Sequence, residues 1–135
     1  MSIVTYQYKR LKDLKVPIIT LAIRYGEMWH PVEAYVDTGA TYSVFTAQVA
    51  DRLGLSYRTG RKVYVQVGDV GFIPVYLHDL EIQIGKHRVV VPLGFSGKLG
   101  ISFNLLGRTG IFDFFKVCFD ERDFVVTFTQ YELQP

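Results

Sequence analysis

The run Glu33-Ala34-Tyr35-Val36-Asp37-Thr38-Gly39-Ala40 ends an apolar, strand-like stretch on one carboxylate and follows it at once with Thr and Gly. A carboxylate held in such a place can take a proton from water or give one to a carbonyl oxygen, which is general acid–base work. The simplest structural role for the same Asp is an Asx-turn, its carboxylate accepting backbone N–H groups after the strand. The tripeptide alone does not decide between the two, so its context has to.

Other common chemistries do not find their residues. His30, His78 and His87 lie apart, never at the spacing that puts two imidazoles on one helix face, so no metal or cofactor is expected. Gly94-Phe95-Ser96-Gly97 lacks the spacing of a nucleophilic serine turn, and the stretch 94–100 reads as a glycine-rich loop. Gly68-Asp69-Val70-Gly71 matches no phosphate-cradling pattern and reads as a hairpin tip. The single cysteine, Cys118, can form no internal disulfide. It is expected as a small core residue, and a reducing cytosol suits it.

The elements that must position Asp37 are mostly short strands. Residues 18–25 are rich in β-branched types, Gly26-Glu27 turns, and 29–36 returns to the Asp. Residues 46–53 form the best helix: Thr46 can cap it, Val49, Ala50 and Leu53 share a face, and Gly54 stops it. Strand signals resume at 62–67 and 72–77, where Pro74 implies a free edge. Residues 80–84 and 87–91 alternate about Gly85-Lys86 as a second hairpin. Asn104-Leu105-Leu106-Gly107-Arg108 follows, then a short helix over 109–115. A last hairpin pairs 115–120 with 124–129. Residues 8–15 read as a basic, solvated lead-in.

Composition narrows the function classes. At 135 residues and 49% hydrophobic, the chain is sized for one domain with a packed core. A net charge of +2 gives no electrostatic case for nucleic acid or an anionic membrane. The N-terminus carries no signal pattern and no apolar run reaches bilayer length. A cytoplasmic protein without membrane or nucleic-acid partners is expected.

Asp37-Thr38-Gly39-Ala40, a glycine-tipped hairpin, and Leu105-Leu106-Gly107-Arg108 in that order resemble the retropepsin-like aspartic proteases over residues 17–115. These are the retroviral proteases and their cellular and bacterial relatives. The resemblance implies an all-β fold: a closed acid-protease β-barrel with one or two short helices, in a single domain over 1–135 with 1–16 as its lead-in. It implies that Asp37 is catalytic, that Thr38 hydrogen-bonds across a dimer axis, and that Gly39 and Ala40 leave room for substrate. Leu105, Leu106 and Gly107 would pack behind the catalytic loop, and Gly68, Asp69, Val70 and Gly71 would tip a flap over peptide substrate. Thr41 stands where retroviral enzymes often carry a second Asp that binds the arginine. With the helix at 46–53 and the basic lead-in, this points to a cellular or bacterial-type relative.

Peptide hydrolysis of this kind uses two carboxylates about 3 Å apart, which cannot both stay ionised and therefore hold one proton between them. One Asp in this context per chain implies a homodimer with an Asp37 from each subunit. Residues 124–129 are a candidate for the joining strand. The activity expected is that of an aspartic endopeptidase. A protease-like dimer that binds peptides without cutting is the alternative. A base-stacking β-barrel is a third reading that the small net charge disfavours.

Overall fold

A computed structural model of the chain describes residues 2–101 and 103–132. Near its start, β1 (Ile3–Gln7) leads into a small hairpin, β2 (Lys9–Leu11) and β3 (Leu14–Val16). Then come β4 (Ile18–Tyr25), β5 (Met28–Val36), β6 (Val44–Thr46) and the helix α1 (Ala47–Leu53). A long hairpin, β7 (Arg61–Val67) and β8 (Gly71–Ile84), is followed by β9 (His87–Ser96) and β10 (Asn104–Leu106). The last pair is β11 (Phe115–Asp120) and β12 (Val125–Gln130). The all-β expectation holds. Among the described residues, no helix is long and apolar enough to cross a membrane.

The main sheet has the order β4-β5-β10-β6-β9-β8-β7, and a further pairing of β4 with β8 closes six of these strands into a ring. That closure is narrow, through Ala22 opposite Gln83 and Ile23 opposite Ile82. Its centre is unusual for a chain built of hairpins. Strand β10 lies between β5, to which it is parallel, and β6, to which it is antiparallel. Side chains of successive strand residues point to opposite faces. Val44 and Leu105 therefore enter a cluster with Val65, Ile73, Val75 and Leu77 under the long hairpin. Their neighbours Phe45 and Leu106 enter the larger core with Ile19, Ile23, Ile82 and Phe95.

Helix α1 follows its sequence signals. Val49, Ala50 and Leu53 are buried, and the Gly54 N–H closes onto the carbonyls of Ala50 and Asp51. Thr46 sits at the N-cap position without a side-chain cap bond. Pro74 lies in the part of β8 that pairs with β7 before the β9 ladder begins at Tyr76, as its missing N–H requires.

Several expectations need correcting. The lead-in over 8–15 is solvated but no free arm: Tyr8 is buried and β2 pairs with β3, while Arg10 and Lys12 to Lys15 stay exposed. Before it, β1 pairs with β12, and its alternating Val4 and Tyr6 pack on the core. Residues 72–77 and 80–84 are one strand, since His78 and Asp79 continue the ladder to β9. Gly94, Phe95 and Ser96 are strand rather than loop, parallel to β6, and a Cβ on Gly94 would strike the Val75 side chain. The helix expected over 109–115 is an irregular turn, Arg108–Phe112. Gly110 has φ +90° there, and a Cβ on it would lie 2.9 Å from Val91. Cys118 is exposed, because it shares the outward face of β11 with Lys116. Of the three late aromatics, Phe115 is buried, and Phe112 and Phe114 pack half-buried against the core.

Phe45 is fully buried and its ring lies 5.9 Å from that of Phe95. Phe45→Ala is expected to cost about 3–5 kcal/mol of unfolding free energy, read by urea denaturation. A loss below about 1 kcal/mol would contradict this packing.

Candidate active site

Strand β5 delivers Asp37 by extending its parallel ladder one step beyond β10: the Asp37 N–H donates to the Leu106 carbonyl at 2.9 Å. The carboxylate turns back on its own loop, where Oδ1 accepts the Gly39 N–H at 2.8 Å. This is the Asx-turn the sequence allowed. It fixes one oxygen of the half-buried carboxylate. A Cβ at Gly39 would stand 3.2 Å from that oxygen, so a larger residue would press on the carboxylate.

The loop after Asp37 is laced to the segment after β10. Gly107 N–H donates to the Ser43 hydroxyl at 2.9 Å. Arg108 N–H donates to the Ala40 carbonyl and Thr109 N–H to the Thr41 carbonyl, each at 2.8 Å. Gly107 lies so close that a Cβ would collide with the Tyr42 carbonyl and come within 2.8 Å of the Ala40 oxygen. Glycine is therefore the residue this contact admits. Leu105 and Leu106, both buried, hold the segment in the sheet from its two faces.

Two polar side chains missed by the sequence reading complete the frame. Ser43 is buried and supplies the acceptor for Gly107. Asn104 spans the strands on either side of β10: its Oδ1 accepts the Thr46 N–H and its Nδ2 donates to the Glu33 carbonyl, both at 2.9 Å. An Asn opening a short apolar strand was the available signal. The Arg108 side chain is exposed and makes no ion pair among the described residues, consistent with Thr41 in place of an acid.

The β7–β8 hairpin stands across a cleft of about 570 Å³ from this loop. Gly39, Thr41 and Tyr42 form one wall, and Tyr64, Gln66 and Phe72 contribute to the other. Among the described residues its lining carries no charged one. At the hairpin tip, Gly68–Val70 makes a single tight turn, Asp69 is exposed, and Gly71 opens β8 at φ +93°. Asp37 and Thr38 border a different cleft, of about 540 Å³, whose walls include Val16, Tyr35 and Phe119. On its edge the Tyr8 hydroxyl donates to Glu121. Burial, then that carboxylate, push the Tyr8 pKa well above the tyrosine range. Among the described residues there is no cluster of three His, Cys, Asp or Glu that could hold a metal.

An Asp at the end of one strand, pinned by a short parallel strand from the second half, on a loop that faces a long hairpin, defines the retropepsin-like class. Residues 29–110 match the family described as "gag-polyprotein putative aspartyl protease", and the chain belongs to it. Among solved structures, the chain is similar to a retropepsin-like aspartic protease from Rickettsia conorii, at 18% identity and TM-score 0.67, over 94% of this chain and 91% of that one. It is similar to the EIAV protease complexed with the inhibitor HBY-793, at 24% identity and TM-score 0.53, over 74% and 88%. It is also similar to the retroviral protease-like domain of Ddi1 from Leishmania major, at 17% identity and TM-score 0.53, over 80% and 85%. At such identities the likeness is one of fold. No curated protein sequence matches the chain.

Ser43→Ala leaves the buried Gly107 N–H without an acceptor. It is expected to cost about 1–3 kcal/mol in denaturant unfolding, with Ser43→Thr milder. Equal stability of Ser43→Ala and wild type would contradict the lacing.

Proposed function

We propose that the chain works as one retropepsin-like domain and, as a homodimer, is an aspartic endopeptidase. The observation that carries this is the Asp37 carboxylate, anchored through one oxygen to Gly39 on a loop that the β10 segment holds rigid. A group presented this way is oriented before substrate arrives.

Two copies of Asp37 meet at the dimer axis and hold one proton between them. The ionised carboxylate takes a proton from a water as its oxygen attacks the peptide carbonyl, and the protonated one donates to the carbonyl oxygen. In the resulting gem-diol, the carboxylate that took the proton from water passes it to the amide nitrogen, while the other, now ionised, takes a proton from a diol hydroxyl as the carbonyl re-forms. The C–N bond breaks, leaving a free acid and a free amine. Thr38 steadies the pair across the axis, and Gly39 and Ala40 give the peptide backbone room. Leu105, Leu106 and Gly107 support the loop from behind. Gly68, Asp69, Val70 and Gly71 tip the flap, which closes on an extended peptide held like an added strand. The lining of the cleft under the hairpin, with Thr41, Tyr42, Tyr64 and Gln66, supports uncharged substrate side chains. The exposed free thiol of Cys118 suits work in the reducing cytoplasm.

A second reading is a dimer that binds peptides without cutting them. The Arg108 side chain, which has no ion-pair partner among the described residues, favours it, since part of the family's clamp is missing.

The test is cleavage of an unstructured protein across pH 3 to 8, with and without pepstatin. Asp37→Asn is expected to lose activity by at least about a thousandfold while keeping its fold and dimer. Bell-shaped, inhibitable cleavage that vanishes in this variant supports the protease. Unchanged cleavage in Asp37→Asn contradicts it, and peptide binding without cleavage by wild type moves the assignment to the second reading. Thr38→Ala is expected to lower activity and weaken the dimer together, and a wild-type dimer constant in that variant contradicts its role across the axis.

A further inference from the structure

The proposed dimer needs a surface beside Asp37, and the strand expected to join subunits is not available for it. Strand β12 pairs with β1 on one edge and with β11 on the other, so it has no edge left for a second chain. The cleft of about 540 Å³ that Asp37 and Thr38 share with the β2–β3 hairpin remains open.

We infer that this cleft is the docking surface for a second copy of the chain, with Leu14 and Phe119 as its apolar contacts and Lys15 and Glu121 as its polar rim. The inference rests on the dimeric reading above. A two-fold axis that brings two Asp37 carboxylates together runs beside the wall formed by Asp37 and Thr38, so whatever faces that cleft across the axis is the same surface of the partner. The surface suits itself. Leu14 is 68% exposed on the hairpin, and Phe119 and Phe124 are 37% and 38% exposed. Leu14 and Phe119 line the same cleft, and Lys15 Nζ lies 4.9 Å from the Phe124 ring, which makes these residues one patch. Exposed apolar residues gathered at a concavity are what an interface covers.

The charges are also self-complementary. Lys15 and Glu121 stand on one rim with opposite signs. In the proposed pairing Lys15 meets Glu121 of the partner subunit, and the two-fold operation repeats the contact between Glu121 and the partner subunit's Lys15. Glu121 is already fixed in place by the Tyr8 hydroxyl, so less freedom is lost when it pairs. The opposite charges also reject a rotated register, in which lysine would meet lysine.

Sedimentation equilibrium of the full chain tests this with Leu14→Glu, Lys15→Glu and the double variant Lys15→Glu/Glu121→Lys. Leu14 is exposed, so its replacement leaves the monomer folded, and circular dichroism and the thermal midpoint verify it. Leu14→Glu is expected to raise the dimer dissociation constant at least tenfold. Lys15→Glu is expected to raise it as well, and the charge-swapped double variant to bring it back toward wild type. A wild-type constant in both Leu14→Glu and Lys15→Glu overturns the inference while leaving the dimeric protease standing with its interface elsewhere. A wild type that stays monomeric while it cleaves overturns the dimeric reading and this surface with it.

Discussion

The contact between Gly107 and the loop after Asp37 is the constraint on which the rest of the structure turns. A glycine passes where a Cβ would strike the Tyr42 carbonyl, and its N–H is taken by the buried Ser43 hydroxyl. Leu106, Arg108 and Thr109 add three backbone bonds to the same loop. A loop of small and polar residues would otherwise be the most mobile part of a β protein. Here it is bonded along its length to a segment that is itself wedged between β5 and β6. That wedge is what the two hydrophobic clusters pay for, one on each face of β10.

This arrangement explains why so few residues carry the site. Asp37 needs no charged neighbour to orient it, because Gly39 and the β10 ladder do so through backbone groups. Among the described residues the cleft under the long hairpin has no charged lining, and in the proposed protease an extended peptide satisfies its backbone there by strand-like pairing. What one chain lacks is a second carboxylate of the same kind, and in the proposed homodimer a two-fold partner supplies it without any further sequence.

The site loop was legible because its signals are local: a strand, an Asp that can turn, a glycine, and an apolar pair followed by another glycine. The helix at 47–53 was legible for the same reason, from one buried face and a glycine stop. Features set by distant partners were not. Gly94 to Ser96 looked like a loop because glycine and serine are turn-formers, yet glycine is there to let β9 pass over Val75 and Ser43. Gly110 breaks an apparent helix because it presses on Val91, a contact no short window contains. Asn104 and Ser43 looked like ordinary polar residues until β10 was seen between its two neighbours. Residues 8–15 read as a solvated arm because their charges outnumber their apolar residues, while Tyr8 is buried and its N–H donates to the Phe124 carbonyl near the other end of the chain.

The central claim is that one reaction centre is assembled from two copies of Asp37. Mixing wild-type and Asp37→Asn chains at a fixed total concentration, with time for subunits to exchange, tests it most directly. If both carboxylates are needed, activity follows the square of the wild-type fraction and falls to about a quarter in an equal mixture. Activity proportional to the wild-type fraction, about half in an equal mixture, would mean that each chain holds a complete site and would contradict the account.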